Sequence, residues 1–192
     1  ALLFHCKDLS GINGVNRPGI VHRIDMDTTG AIIACKNDIA HQSLAKQLQV
    51  HSITRKYEAI VYHNLQEETG TIDKPIGRHP VHRKKMAVVQ PEKGKRAVTH
   101  YRVLSHLNHK FNYIECQLET GRTHQIRAQF SHIGNPLYGD TKYGSRHSGG
   151  MNLASYKLIF DFKTDAGILN YLNHKEFQIS VDFAKTFAQQ KL

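Results

Sequence analysis

F-N-Y-I-E-C-Q-L-E-T-G-R-T-H-Q-I-R-A-Q-F-S-H-I-G, residues 111 to 134, changes its hydrophobic period once, and that change decides the fold class. In Phe111 to Thr120, Ile114, Cys116 and Leu118 alternate with Glu115, Gln117 and Glu119, the period of a strand with one buried and one exposed face. From Thr123 the period is helical, with Ile126, Phe130 and Ile133 at i, i+4 and i+7. Gly121 ends the strand, and Gly134 with Pro136 stops the helix.

The same two periods recur outward from this stretch. Arg96 to Leu104 is a strand that pairs with Phe111 to Thr120 through a polar hairpin connection at Ser105 to Lys110. Lys56 to His63 is rich in aromatic and β-branched residues and is a further strand. Asn37 or Asp38 caps a helix running to about Gln49, with Ala40, Leu44 and Leu48 as its core stripe. Ala31 to Cys35 is apolar and suits a buried strand; Lys157 to Asp161 and Glu176 to Val181 are two more, the latter burying Phe177, Ile179 and Val181. Phe183 to Leu192 is a short helix. Residues 65 to 94, punctuated by Gly70, Pro75, Gly77, Pro80, Pro91 and Gly94, form an insertion-like arm, and 135 to 150 form a glycine-rich loop. The expected fold is α+β: a mixed, largely antiparallel sheet with flanking helices and a central cleft.

At 192 residues the chain buries one substantial core, so one domain spanning 1–192 is expected. With 40% hydrophobic and 22% charged residues it has a globular balance, and no apolar run approaches the length of a membrane span. The opening residues lack the features of a signal peptide. Three widely spaced cysteines, Cys6, Cys35 and Cys116, form no C-x-x-C pair; a reducing cytoplasm, a monomer and small buried thiols are expected. The 26 Lys and Arg against 16 Asp and Glu give a formal net charge of +10, which favours a polyanion, nucleic acid first. Much of that charge sits on the arm, at Arg78, Arg83, Lys84 and Lys85, where phosphate contact is favoured over a merely solvated surface.

Arg17 to Gly30, R-P-G-I-V-H-R-I-D-M-D-T-T-G, holds the densest chemistry. Asp25-x-Asp27-x-Thr29-Gly30 resembles half of a calcium loop, but Lys36 occupies the twelfth position, where a bidentate Glu is needed. Fourteen histidines form no metal-binding helical pair, and neither a phosphate-cradling P-loop nor a G-x-S-x-G elbow is present. On spacing alone Asp25 and Asp27 are interchangeable.

H-R-I-D-x-D-T-T-G at His22 to Gly30, R-K-Y-E-A at Arg55 to Ala59 and L-E-T-G-R-T-H-Q-I-R at Leu118 to Arg127 resemble, in order, the signature segments of RluA-type pseudouridine synthases. R-H-P at Arg78 to Pro80, A-V-T-H-Y at Ala97 to Tyr101 and G-x-P-L-Y-G-D at Gly134 to Asp140 resemble subgroup D of the ribosomal large-subunit pseudouridine synthases. The resemblance implies an enzyme that isomerises uridine to pseudouridine in structured RNA, most of all large-subunit ribosomal RNA, with no metal, nucleotide or redox cofactor. It implies Asp25 as the catalytic carboxylate, Arg127 as its cation and Tyr57 against the flipped base. Arg23 would fill the gap the base leaves; Arg122 and His124 join the arm's Arg78, Arg83, Lys84 and Lys85 as RNA contacts. His22 and Asp27 are expected to be structural, Asp27 bonding loop amides or the Thr28 and Thr29 hydroxyls. The family also has an upstream strand segment and often an S4-type RNA-binding domain, both expected to be missing here, and a His where this chain has Ala154. A non-catalytic RNA-binding module is the alternative; an Asp-dependent glycoside hydrolase lacks an evident paired acid.

Overall fold

The computed structural model describes residues 2–14, 17–183 and 187. In chain order its elements are α1 (Leu2–His5), β1 (Thr29–Gly30), α2 (Asp38–Gln49), β2 (Ile53–Tyr62), β3 (Thr69–Asp73), β4 (Ile76–Arg78), β5 (Met86–Val88), β6 (Val98–Leu107), β7 (Phe111–Leu118), α3 (Gln125–His132), β8 (Leu153–Phe160) and β9 (Glu176–Gln178), with three short 3₁₀ turns. The main sheet runs β1-β8-β2-β7-β6-β3, with β9 added alongside β8. Every pairing in it is antiparallel except β1 with β8, so the fold is α+β with a largely antiparallel sheet. A separate β4–β5 hairpin projects between β3 and β6.

The periods around residue 111 turn into packing as expected. Ile114 and Cys116 are fully buried and Leu118 nearly so, and Ile126 and Phe130 of α3 close over them together with Val61 and Leu137. α2 begins where Asn37 accepts a bond from the Ala40 amide at 2.9 Å, a side-chain cap for an otherwise unpaired donor. Its Leu44 lies in a second cluster with Cys35, Ile53 and Phe160.

Several expectations fail for local reasons. Ala31 to Cys35 is not a strand: β1 stops at Gly30, the Ala31 amide makes the last bond to β8 at Ser155, and then Ile33 is taken by the His22 ring and Cys35 by the Gly19 carbonyl. β6 continues to Leu107, so the hairpin turn is shorter than expected and carries Asn108 and His109 with positive φ. β3 belongs to the main sheet, which confines the arm to the residues after Asp73. The second face of β7 is not simply exposed: Glu115 is buried by ion pairs to Lys56 and Arg102 and a bond from the Tyr156 hydroxyl. Ile133 caps α3 and stays exposed, as do Phe177 and Ile179 around β9, which among the described residues pairs only with β8. The terminal helix expected over 183–192 falls largely outside the described residues; Phe187 is buried against Phe111 and Tyr138. All three cysteines are free, with Cys35 and Cys116 buried and Cys6 partly so.

Candidate active site

Asp25 lies in the loop before β1. The Thr28 amide bonds the Asp25 carbonyl at 3.0 Å, tightening the turn that delivers the chain to β1. The parallel register of Gly30 with Ser155 then fixes it, and Gly30 is required there: its φ is +120°, and a Cβ would lie 2.2 Å from the Ser155 carbonyl oxygen. Tyr57 sits on β2 opposite Cys116 of β7, next to an irregularity in the β2–β8 pairing between Lys56 and Tyr57. Such irregularities turn a side chain out of the regular pleat.

Arg127 comes from α3, whose start is held by the Gln125 side chain instead of a capping hydroxyl. Gln125 Oε1 accepts from the Arg122 amide and the Thr120 hydroxyl, and Nε2 donates to Val98 and Thr99. The Arg127 guanidinium is almost wholly buried and makes a two-point fork on Asp140, Nε to Oδ2 at 2.7 Å and Nη2 to Oδ1 at 2.9 Å. The remaining Nη1 reaches Asp25 Oδ2 at 3.3 Å. Burial opposes the charge of Arg127, but Asp140 and then Asp25 outweigh it and hold its pKa above the ordinary value. One cation is thus locked by a buried carboxylate and aimed at a second that faces a pocket. The Tyr143 ring packs against it, 5.0 Å from the guanidinium carbon.

Asp25, Tyr57 and Arg127 line one pocket with Arg23, Arg55, Arg122 and His124. Three distant stretches of sequence therefore meet there. Burial raises the Tyr57 pKa, with Arg55 opposing and Asp25 adding to the effect, so its hydroxyl stays protonated at neutral pH. His124 occupies a left-handed conformation, φ 53°, and its Nδ1 is 2.8 Å from the Tyr143 hydroxyl. That hydroxyl also accepts from the Met86 amide of β5 at 2.8 Å, tying the hairpin to the pocket wall.

The arm residues lie apart from the pocket: none of Arg78, Arg83, Lys84 and Lys85 lines it. Arg83, Lys84 and Arg78 are exposed, with Arg78 bonding the Arg83 carbonyl at 3.2 Å, while Lys85 stands 6.0 Å above the Tyr143 ring. Arg23 and Arg122 are exposed at the pocket rim and also line a neighbouring groove with Arg17 and Arg96. Asp27 is exposed and does not make the bonds expected of it; the Thr28 hydroxyl is buried without a partner. Ala154 is fully buried in β8, between Thr29 and Glu58 in register. Among the described residues no cluster of His, Cys, Asp or Glu suits a metal ion, and no helix is long and apolar enough to cross a membrane. Sequence reasoning missed Asp140, Arg55 and Tyr143. Asp140 closes the G-x-P-L-Y-G-D segment and Arg55 opens R-K-Y-E-A, so the signal for both lay in segments that the family resemblance already uses.

His22 is a structural group. Its Nε2 accepts from the Ile33 amide at 2.9 Å, which requires the neutral ring. Burial, with the Arg55 charge beside it, pushes its pKa from 6.5 down to about 4. The unfolded chain therefore takes up this proton first, so the contribution is intact above pH 6.5 and is lost as pH falls toward 4. At roughly 1.4 kcal/mol per unit this is on the order of 3 kcal/mol. Urea unfolding of His22→Gln, which keeps an acceptor, is expected to show a flatter stability profile between pH 7 and 4 than the wild type; parallel profiles would refute the assignment.

The model of the RNA pseudouridylate synthase family matches residues 2–132. A Bacillus subtilis (strain 168) protein, Uncharacterized RNA pseudouridine synthase YlyB, is 56% identical over 145 residues, covering 76% of this chain and 47% of that protein. Ribosomal large subunit pseudouridine synthase D of Zymomonas mobilis is 54% identical over 147 residues, covering 75% of this chain and 45% of its own. The chain spans about half the length of the curated relatives it matches. Human RNA Pseudouridylate Synthase Domain Containing 1 superposes with a TM-score of 0.70 at 21% identity, over 98% of this chain and 82% of that one, a likeness of fold.

Proposed function

Because the chain belongs to the RNA pseudouridylate synthase family, we propose that it isomerises uridine to pseudouridine in structured RNA, with large-subunit ribosomal RNA as its substrate. The observation that carries this reading is the meeting of Asp25, Tyr57 and Arg127 in one pocket, with Asp25 held 3.3 Å from a cation that cannot leave.

The reaction breaks the bond from the ribose anomeric carbon to uracil N1, turns the base, and joins the same carbon to uracil C5, which loses its proton while N1 gains one. Atoms balance without a co-reactant. Asp25 is the carboxylate that meets the electron-poor sugar, either by bonding the anomeric carbon or by taking a ribose proton to give a glycal. Arg127 sets a fixed positive charge 3.3 Å from the Asp25 carboxylate and orients it in the pocket. Tyr57 supplies a flat ring for the turning base and a neutral hydroxyl. The base enters only after leaving its stack, at a cost of a few kcal/mol. Arg23, exposed at the rim, presents a planar guanidinium to the neighbouring bases. Arg122 and His124 on the pocket wall, with the arm's Arg78, Arg83, Lys84 and Lys85, hold the strand by its phosphates and base edges. The family resemblance favours catalysis over an RNA-binding module without chemistry, and work as a monomer in the cytoplasm completes the reading.

Incubating the chain with large-subunit ribosomal RNA transcripts and mapping pseudouridine by carbodiimide-blocked primer extension tests the activity; RNA that is bound but unmodified would leave only the binding module. Replacing Arg83, Lys84 and Lys85 together with Ala is expected to weaken RNA binding and to flatten log K against log salt by about 0.7–0.9 for each phosphate no longer neutralised. An unchanged slope would make these three residues solvated surface.

A further inference from the structure

Arg55 stands out among the buried groups that the mechanism above leaves unused. It projects from β2 two residues before Tyr57, is half-buried with its Nε enclosed, and lines both the catalytic pocket and the adjoining groove. Among the described residues it has no salt-bridge partner, and its Nε is buried with no hydrogen bond at all. The other arginine and lysine side chains drawn into the sheet are paired: Arg127 with Asp140 and Asp25, Lys56 with Glu115. Burial drives the Arg55 pKa down, and Tyr57, itself uncharged, is the one neighbour that opposes it. His22, a further titratable neighbour, has its pKa lowered by burial and by the Arg55 charge.

The chain also makes room for this guanidinium. Gly121, at the end of the 118–127 segment, lies so close that a Cβ there would be 2.6 Å from Arg55 Nη1. A glycine thus seats an arginine that bonds nothing among the described residues. Enclosing part of a cation without a partner is unfavourable, and an anion that completes it offsets that cost.

We propose that Arg55 is the ligand of a phosphate of the bound RNA, at the boundary where the strand in the groove turns its target nucleotide into the catalytic pocket. The guanidinium fork suits a phosphate's two oxygens, and Arg55 borders both cavities, from which a phosphate reaches it. Arg23 and Arg122, which border the same two cavities, flank this position without being buried. That the phosphate belongs to RNA rests on the proposed function; that the site takes an anion does not.

The test therefore uses inorganic phosphate first, with no RNA and no turnover, so that its failure is distinguishable from failure of the proposed activity. Thermal unfolding is followed for the wild type, Arg55→Met, which fills the same space without charge, and Arg55→Lys, which keeps charge without the fork. Without phosphate, Arg55→Met is expected to melt higher than the wild type by roughly 3 °C, because an uncompensated charge is gone. Added phosphate should raise the wild-type midpoint, raise that of Arg55→Lys less, and leave Arg55→Met behind both. With RNA, Arg55→Met should bind roughly tenfold more weakly, with a salt slope shallower by about 0.7–0.9. A merely structural arginine would give the opposite sign: a lower midpoint for Arg55→Met, with its phosphate response equal to that of the wild type, overturns the proposal.

Discussion

Asp25→Asn is expected to fold and bind RNA as the wild type does while losing isomerisation by at least about 10³-fold. The separation follows from how Arg127 is held. Its two strong bonds go to Asp140, at 2.7 and 2.9 Å, and only the longer 3.3 Å contact goes to Asp25. Removing the Asp25 charge leaves the buried guanidinium neutralised, so the packing of α3 on the sheet is kept. The Asn amide retains the shape of the carboxylate but cannot meet positive charge at the anomeric carbon. Single-turnover measurement of pseudouridine, beside filter binding of the same RNA, checks both halves. Turnover within tenfold of wild type would remove Asp25 from the chemistry; lost binding would make it a scaffold residue.

Asp140→Ala is expected to act in the reverse way, on stability first. It strips both fork bonds from a cation that is 3% exposed and leaves it facing the pocket carboxylate alone. Breaking a buried pair from one side costs about 3–5 kcal/mol. Activity should fall further than stability accounts for, because an Arg127 freed from Asp140 can close fully on Asp25 and draw it out of line. Denaturant unfolding, and turnover measured where the variant is still folded, separate the two losses. A loss below about 1 kcal/mol would mean that Arg127 is not held as the geometry indicates.

The contrast between these two carboxylates marks what the sequence could and could not convey. α2, β7 and α3 were legible because their signals are local: the Asn37 cap, the alternation of Ile114, Cys116 and Leu118, and the spacing of Ile126 to Phe130. Ala31 to Cys35 departs from the expected strand because its Ile33 and Cys35 amides are satisfied by His22 and Gly19, partners that apolar content does not announce. Ile133, Phe177 and Ile179 have core-type side chains at positions that stay partly exposed among the described residues. In the site, spacing left Asp25 and Asp27 equivalent; the family resemblance favoured Asp25, and Asp25 is the one that reaches Arg127. Asp140 and Arg55 stayed hidden because what distinguishes them is burial and pairing: a buried acid that is paired, and a half-buried base whose enclosed Nε is not.

The most direct test is the pseudouridine map of large-subunit ribosomal RNA from cells lacking this protein, complemented with the wild type or with Asp25→Asn. The account predicts that at least one pseudouridine disappears on deletion, returns with the wild type and stays absent with the Asn variant. A map unchanged by deletion, or restored by Asp25→Asn, would contradict it.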